Sequence, residues 1–216
     1  MTFDIEKFVA KAAVKRISKA VVPEDYADVL KDKCLSKKDF NLCKRHCIQR
    51  IERGWSFRDA WNIDYWLAEK LSGIIGELER CTHGYPNEAL DLHAKCRKID
   101  FLAGKDVVGK RRKSESLENY KVRVYSHDLK RMAFLFGEYD ETRCSKKNPI
   151  KPIFKYHYEP VPGKKGCSSM VDDCNPAEKR INERWHKKES ELCKYRSDCL
   201  HIALKMLDIY IQSLWD

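Results

Sequence analysis

The stretch GWSFRDAWNIDYWLAEKLSGIIGELERCTHGYP, residues 54–86, decides the fold. Ser56 followed by Asp59 makes a capping-box-like start, the hydroxyl placed to accept an orphan amide hydrogen bond at a helix N-terminus. Ile63, Leu67, Leu71, Ile74 and Leu78 then recur at helical spacing. Gly84 and Pro86 stop the helix. Asp59 and Asp64 lie among Trp55, Trp61 and Trp66, but carboxylates five residues apart do not share a helix face. No nucleophile pattern such as Gly-x-Ser-x-Gly or His-Glu-x-x-His accompanies them. Core bracing is therefore expected, with the tryptophans packing this helix against residues 132–136 and the Trp215 tail, and Asp64 accepting indole or backbone hydrogen bonds. Trp55 with Arg58, at the helix start where the dipole favours anions, is the exposed pair able to stack a base.

Outward from this hub, periodicity and caps predict helices over about residues 3–22, 23–30, 37–53, 56–80, 87–99, 116–141 and 176–214. The last has the clearest start: Asn175-Pro-Ala-Glu178 offers an N-cap, a proline at the first helical position and a reciprocal glutamate. Unbroken, it would be roughly 60 Å long at 1.5 Å per residue. A small domain does not cover that length, so a bend at residues 187–190, or a projection that meets another copy or a partner, is expected. Residues 145–174, with Pro149, Pro152, Pro160, Pro162, Gly163 and Gly166, form the one long irregular stretch, and few residues suggest strand. The expected fold is all-α, a single compact domain of six or seven helices. It comprises basic N-terminal helices over 1–53, central helices over 54–141, an irregular Pro/Gly-rich segment over 142–174 and a long C-terminal helix over 175–216.

Trp61, Asp64, Leu67 and Ala68 on the central helix, and the turn His83, Gly84, Tyr85 and Pro86, resemble motifs of a family of small tailed-bacteriophage proteins of uncharacterised function. The stretch from Asp128 to Phe136 and on through Tyr139 to Asn148, and the chain end Ser213-Leu-Trp-Asp216, carry the same resemblance. It covers about half of the chain in separated blocks. The resemblance implies a viral source and an α-helical core, and brings no activity with it.

At 216 residues the chain can bury one substantial core. Apolar residues at 43% exclude a disordered chain, and 35% charge without an apolar run near ~20 residues excludes a membrane span. The N-terminus lacks a secretory-signal pattern, so a cytoplasmic location in the host is expected, with the ten cysteines reduced. The net charge of +10 is uneven: residues 1–113 hold 24 Lys and Arg against 17 Asp and Glu, and residues 114–216 hold 19 against 16. Lys7, Lys11, Lys15 and Lys19 form one ridge on the first helix, where like charges repel and an anionic partner would relieve the cost.

Gly104-Lys-Asp-Val-Val-Gly109-Lys110 has phosphate-loop spacing, but Arg111 stands where the motif needs Ser or Thr for magnesium, and no parallel-sheet pattern surrounds it. What survives is a cationic patch of Lys105, Lys110, Arg111, Arg112 and Lys113 suited to phosphates. For zinc, Cys81, His83, His93 and Cys96 could close a tetrahedral site across the Gly-Tyr-Pro turn, and Cys34, Cys43, His46 and Cys47 form a second group. The spacings are irregular and favour buried thiols, so no metal or other cofactor is expected. The expected function is that of a non-enzymatic phage accessory protein, a counter-defence or host-takeover factor that binds a nucleic acid, a nucleotide-type ligand or an acidic host protein. The alternatives are a virion or assembly component forming a homo-oligomer through the C-terminal helix, and a nucleotide-hydrolysing enzyme.

Overall fold

A computed structural model describes residues 37–82, 84–104, 108–163 and 166–214. Helix α1 spans Lys37–Arg53, α2 Phe57–Trp61, α3 Ile63–Cys81, α4 Ala89–Ile99, α5 Leu117–Tyr139 and α6 Pro176–Tyr210. A short antiparallel pair, β1 (Tyr156–Pro160) and β2 (Ser168–Asp172), precedes α6, and a 3-10 turn, Ile211–Ser213, follows it. The chain is mostly helical, as its periodicity predicts, and among the described residues no helix is long and apolar enough to cross a membrane. It divides into two compact units, residues 1–66 and 67–216.

In the first unit, Ser56 and Asp59 form a full capping box at the start of α2. Asp59 accepts from the Ser56 amide at 2.7 Å and the Ser56 hydroxyl at 2.9 Å, and from Arg50 Nε of α1 at 2.7 Å. Burial pushes the Asp59 carboxyl up, yet the Arg50 and Ser56 hydrogen bonds outweigh it and hold the group below its ordinary value. The single helix expected over 56–80 is instead two. Asn62 leaves helical geometry at φ −120° and ψ 48°, consistent with the weak helix preference of a side chain that competes for backbone hydrogen bonds. Trp61 ends α2 at that break and is 85% exposed, so it is not a core brace, and Asp64 is exposed as well. The buried carboxylate of this stretch is Asp59.

In the second unit, α4, α5 and α6 pack on one another around Leu92, Leu129, Met132, Phe136, Ile202 and Met206. The face that α3 buries here is Ala68, Ser72 and Ile75, about one residue out of phase with the apolar stripe, leaving Leu67 and Ile74 exposed. Small side chains set that phase. Ser72 Oγ donates to the Ala133 carbonyl at 2.9 Å, and a Cβ on Gly76 would lie 3.9 Å from that of Ala133. The C-terminal end of α5 is tied to α6 by Glu138, which is buried and accepts from Tyr195 OH at 2.9 Å and Ser145 Oγ at 2.7 Å.

Helix α6 starts at the Asn175–Glu178 capping box with Pro176 in its first turn, and it runs unbroken through residues 187–190. Its length, about 50 Å at 1.5 Å per residue, is accommodated because its two halves have different neighbours. The C-terminal half enters the core. The N-terminal half is lined by residues 148–155: Asn182 receives the Ile153 amide at 2.8 Å and donates to the Ile153 carbonyl at 2.6 Å, while Asn148 donates to the Trp185 carbonyl at 3.1 Å. The segment expected to be irregular thus docks on α6 and then forms the hairpin. Tyr158 pairs with Met170 across the strands, and Gly163 and Gly166, at φ 75° and 80°, supply the left-handed backbone of the connecting turn. Alternating Tyr-x-Tyr was the strand signal in a stretch dominated by prolines.

Leu129→Ala, in a fully buried position, is expected to cost about 2–5 kcal/mol, and Trp61→Ala less than about 1 kcal/mol. Chemical denaturation of both variants checks this; equal losses would contradict the placement of Trp61.

Candidate functional site

Three helices converge on one carboxylate. Asp128 lies on the core face of α5, one turn from Val124 and from Met132, and is only 2% exposed. A buried carboxylate requires partners. His93 of α4 approaches it with Nδ1 at 2.8 Å from Oδ1 and 3.0 Å from Oδ2. His127, next to it on α5, places Nδ1 3.2 Å from Oδ1. Tyr210, in the last turn of α6, donates its hydroxyl to Oδ2 at 2.6 Å. The two imidazoles meet edge to face, with ring centroids 6.1 Å apart.

Beside this cluster lies a cavity of about 310 Å³, lined by His93, His127 and Asp128 together with Cys96, Arg97 and Asp100 among others. Asp100, just past the end of α4, receives Arg131 Nε of α5 at 2.8 Å and Nη2 at 3.2 Å, a two-pronged ion pair that fixes the cavity wall. Its Oδ1 also accepts the Leu102 amide at 3.2 Å, which begins the turn leading to Gly104 on the cavity lining.

Burial pushes the Asp128 carboxyl up, but hydrogen bonds from His127, His93 and Tyr210 together hold it below its ordinary value. The same burial, with the charge of Asp128, drives the Tyr210 hydroxyl upward, so it stays a donor. Burial and the charges of Asp128 and Asp100 push the Cys96 thiol up to about 12. The site therefore holds an ionised carboxylate, a protonated thiol and two imidazoles facing a cavity with Arg97 on its wall.

Of the zinc set drawn from the sequence, His93 and Cys96 are buried on α4, Cys81 is exposed at the end of α3 with its thiol 3.3 Å from Glu77, and His83 lies outside the described residues. The structure groups His93 with His127 and Asp128 instead. Within the second group His46 and Cys47 are buried, while Cys34 falls outside the described residues. Lys7, Lys11, Lys15, Lys19 and Lys105 also fall outside them. Lys110, Arg111, Arg112 and Lys113 are all exposed. Trp55 is exposed, as expected, with Arg53 over its ring at 3.8 Å, and Arg58 is half-buried on α2. His127 and Asp128 were missed as site residues. Their signal is a polar pair inside an apolar helical pattern, with Asp128 on the face shared by Val124, Leu129 and Met132.

No protein-family model, curated protein or solved structure matches this chain.

The stability that ionised Asp128 contributes is complete above the ordinary aspartate value of 3.8 and is lost as pH falls through its lower native value. Tyr210→Phe removes a hydrogen bond that favours the charged form, which raises the native value toward the ordinary one, so the variant should be less stable near neutral pH and should lose less further stability than the wild type as pH falls below about 4. Urea denaturation from neutral pH down to about pH 3 reads this out; an unmoved acid limb would show that Tyr210 does not hold the carboxylate.

Proposed function

We propose that the chain is a non-enzymatic accessory protein that binds a phosphate-bearing partner, a nucleic acid or nucleotide-type ligand, through the exposed basic segment at residues 110–113. The observation that carries this reading is the backbone support beneath Lys110, Arg111, Arg112 and Lys113. Glu115 accepts the Arg112 amide at 3.0 Å and takes Arg123 of α5 in a two-pronged pair at 2.8 and 2.9 Å. Arg123, then the Arg112 amide, hold the Glu115 carboxyl at about 2, so this anchor stays charged. Arg123 also reaches the Gly109 and Lys110 carbonyls at 3.4 Å. Part of the ordering cost of binding is met in advance.

Among the described residues, none of the four basic side chains takes an ion-pair partner. Consecutive exposed cations suit the phosphates of a strand, which need charge at short intervals. With the viral source that the resemblance of Trp61, Asp64 and the turn at residues 83–86 to tailed-phage proteins implies, such binding would serve counter-defence or host takeover in the host cytoplasm.

Replacing Lys110, Arg111, Arg112 and Lys113 by glutamine is expected to weaken binding of a labelled oligonucleotide and to lower the slope of log affinity against log salt by about one per lost phosphate contact. Fold stability should hardly change. Fluorescence anisotropy across about 50–200 mM salt measures this. Wild-type protein with no affinity at low salt, or a variant with an unchanged slope, would remove the nucleic-acid reading and favour an acidic protein surface as partner.

A further inference from the structure

The cluster on Asp128 has a second chemical property besides hydrogen bonding. His93, His127 and Asp128 each offer one ligand atom, and the three atoms lie within 4.8 Å of one another. His93 Nδ1 and His127 Nδ1 stand 2.8 and 3.2 Å from the same oxygen, Asp128 Oδ1. Neighbouring ligands placed about 2.0–2.2 Å from a first-row transition ion are separated by roughly 3 Å. Each imidazole thus already has that spacing from the carboxylate oxygen, and the two imidazole nitrogens, within 4.8 Å of one another, reach a common ion by side-chain adjustment.

We propose that His93, His127 and Asp128 hold one divalent first-row transition ion, such as zinc, manganese or iron, whose remaining coordination positions open on the adjoining cavity.

Donor chemistry separates this ion from calcium and magnesium. Two imidazole nitrogens with one carboxylate oxygen suit zinc, iron, cobalt or manganese, whereas calcium takes six to eight oxygen ligands. The carboxylate is also oriented as a ligand requires: Tyr210 holds Oδ2 at 2.6 Å, leaving Oδ1 to the imidazoles. The donors sit on α4 and α5, two helices locked by the Asp100–Arg131 pair, so the geometry is held by rigid elements. Three protein ligands beside a cavity of about 310 Å³ is the arrangement of a metal that keeps positions for water or an exogenous ligand. Arg97 on the cavity wall favours an anionic ligand there. This site is independent of the basic segment, and either could stand without the other.

The test starts from full-length protein stripped by chelator dialysis, to which zinc or cobalt is added. Calorimetry and elemental analysis after desalting are expected to give one tightly held equivalent, with a visible cobalt absorption band. His127→Gln and Asp128→Asn should abolish that equivalent, and Tyr210→Phe should weaken it about 10–100-fold by releasing the carboxylate. His201→Gln, on the exposed side of α6, should bind like the wild type. Asp128 is deeply buried, so its variant could fail to fold. His127, with a side chain 24% exposed, provides the variant expected to keep the wild-type circular dichroism. Absence of a bound equivalent in the wild type, or an equivalent that survives in folded His127→Gln, would overturn the proposal.

Discussion

The Asp128 carboxylate is the constraint on which the second unit depends. A charge this deep costs several kcal/mol unless its lone pairs are met, and the donors that meet them come from three helices: His93 on α4, His127 on α5 itself and Tyr210 on α6. Apolar packing through Leu129, Met132 and Ile202 supplies the larger share of stabilisation, yet it is tolerant of small slips. The polar node is not. Sliding α6 by one turn would keep apolar residues against α5 but would carry Tyr210 away from Oδ2 and strand a buried oxygen. The network thus fixes helical register, and the same geometry leaves two imidazoles and a carboxylate on the wall of a cavity.

A second polar cluster plays the corresponding part further along. Glu138 at the end of α5 takes Tyr195 and Ser145, and Arg196, buried on α6, reaches Glu141 at 3.1 Å and Glu189 at 2.9 Å. Beyond it the core ends, and the rest of α6 is served by amide side chains. Asn182 binds the Ile153 amide and carbonyl, and Asn148 donates to the Trp185 carbonyl of α6, so a proline-bearing segment that forms no helix is tied to α6 by side-chain amides. The length of α6 follows from this division of partners.

Local signals in the sequence translated well into local structure. The caps at Ser56 and Asn175, the helical spacing across residues 87–99 and 116–141, and the exposed basic run at residues 110–113 are each set by neighbours within a few residues. What was not legible depends on distant neighbours. The phase of α3 follows from the approach of Ser72 and Gly76 to Ala133, about sixty residues later, and His93 meets Asp128 across 35 residues. Periodicity places both residues on core-facing sides but cannot say that they meet. The hairpin was hidden because prolines at residues 152, 160 and 162 outweigh a strand signal of five residues. Trp61 misled because large aromatics at helical spacing usually pack inward, and the break at Asn62 sets it apart from the face it was assigned to.

The second unit holds an exposed cationic segment braced by Glu115 and Arg123 and, on α4 and α5, a buried donor set beside a cavity. The central question is whether the node on Asp128 is only a register pin or also a ligand site. The most direct measurement is a long-range proton–nitrogen NMR spectrum of the seven imidazoles recorded while zinc is added. The Nδ1 resonances of His93 and His127 are expected to shift together and to stop moving at one equivalent. A spectrum in which only the exposed His157, His186 and His201 respond, with the buried pair unmoved, would contradict the metal site and leave Asp128 as a purely structural carboxylate.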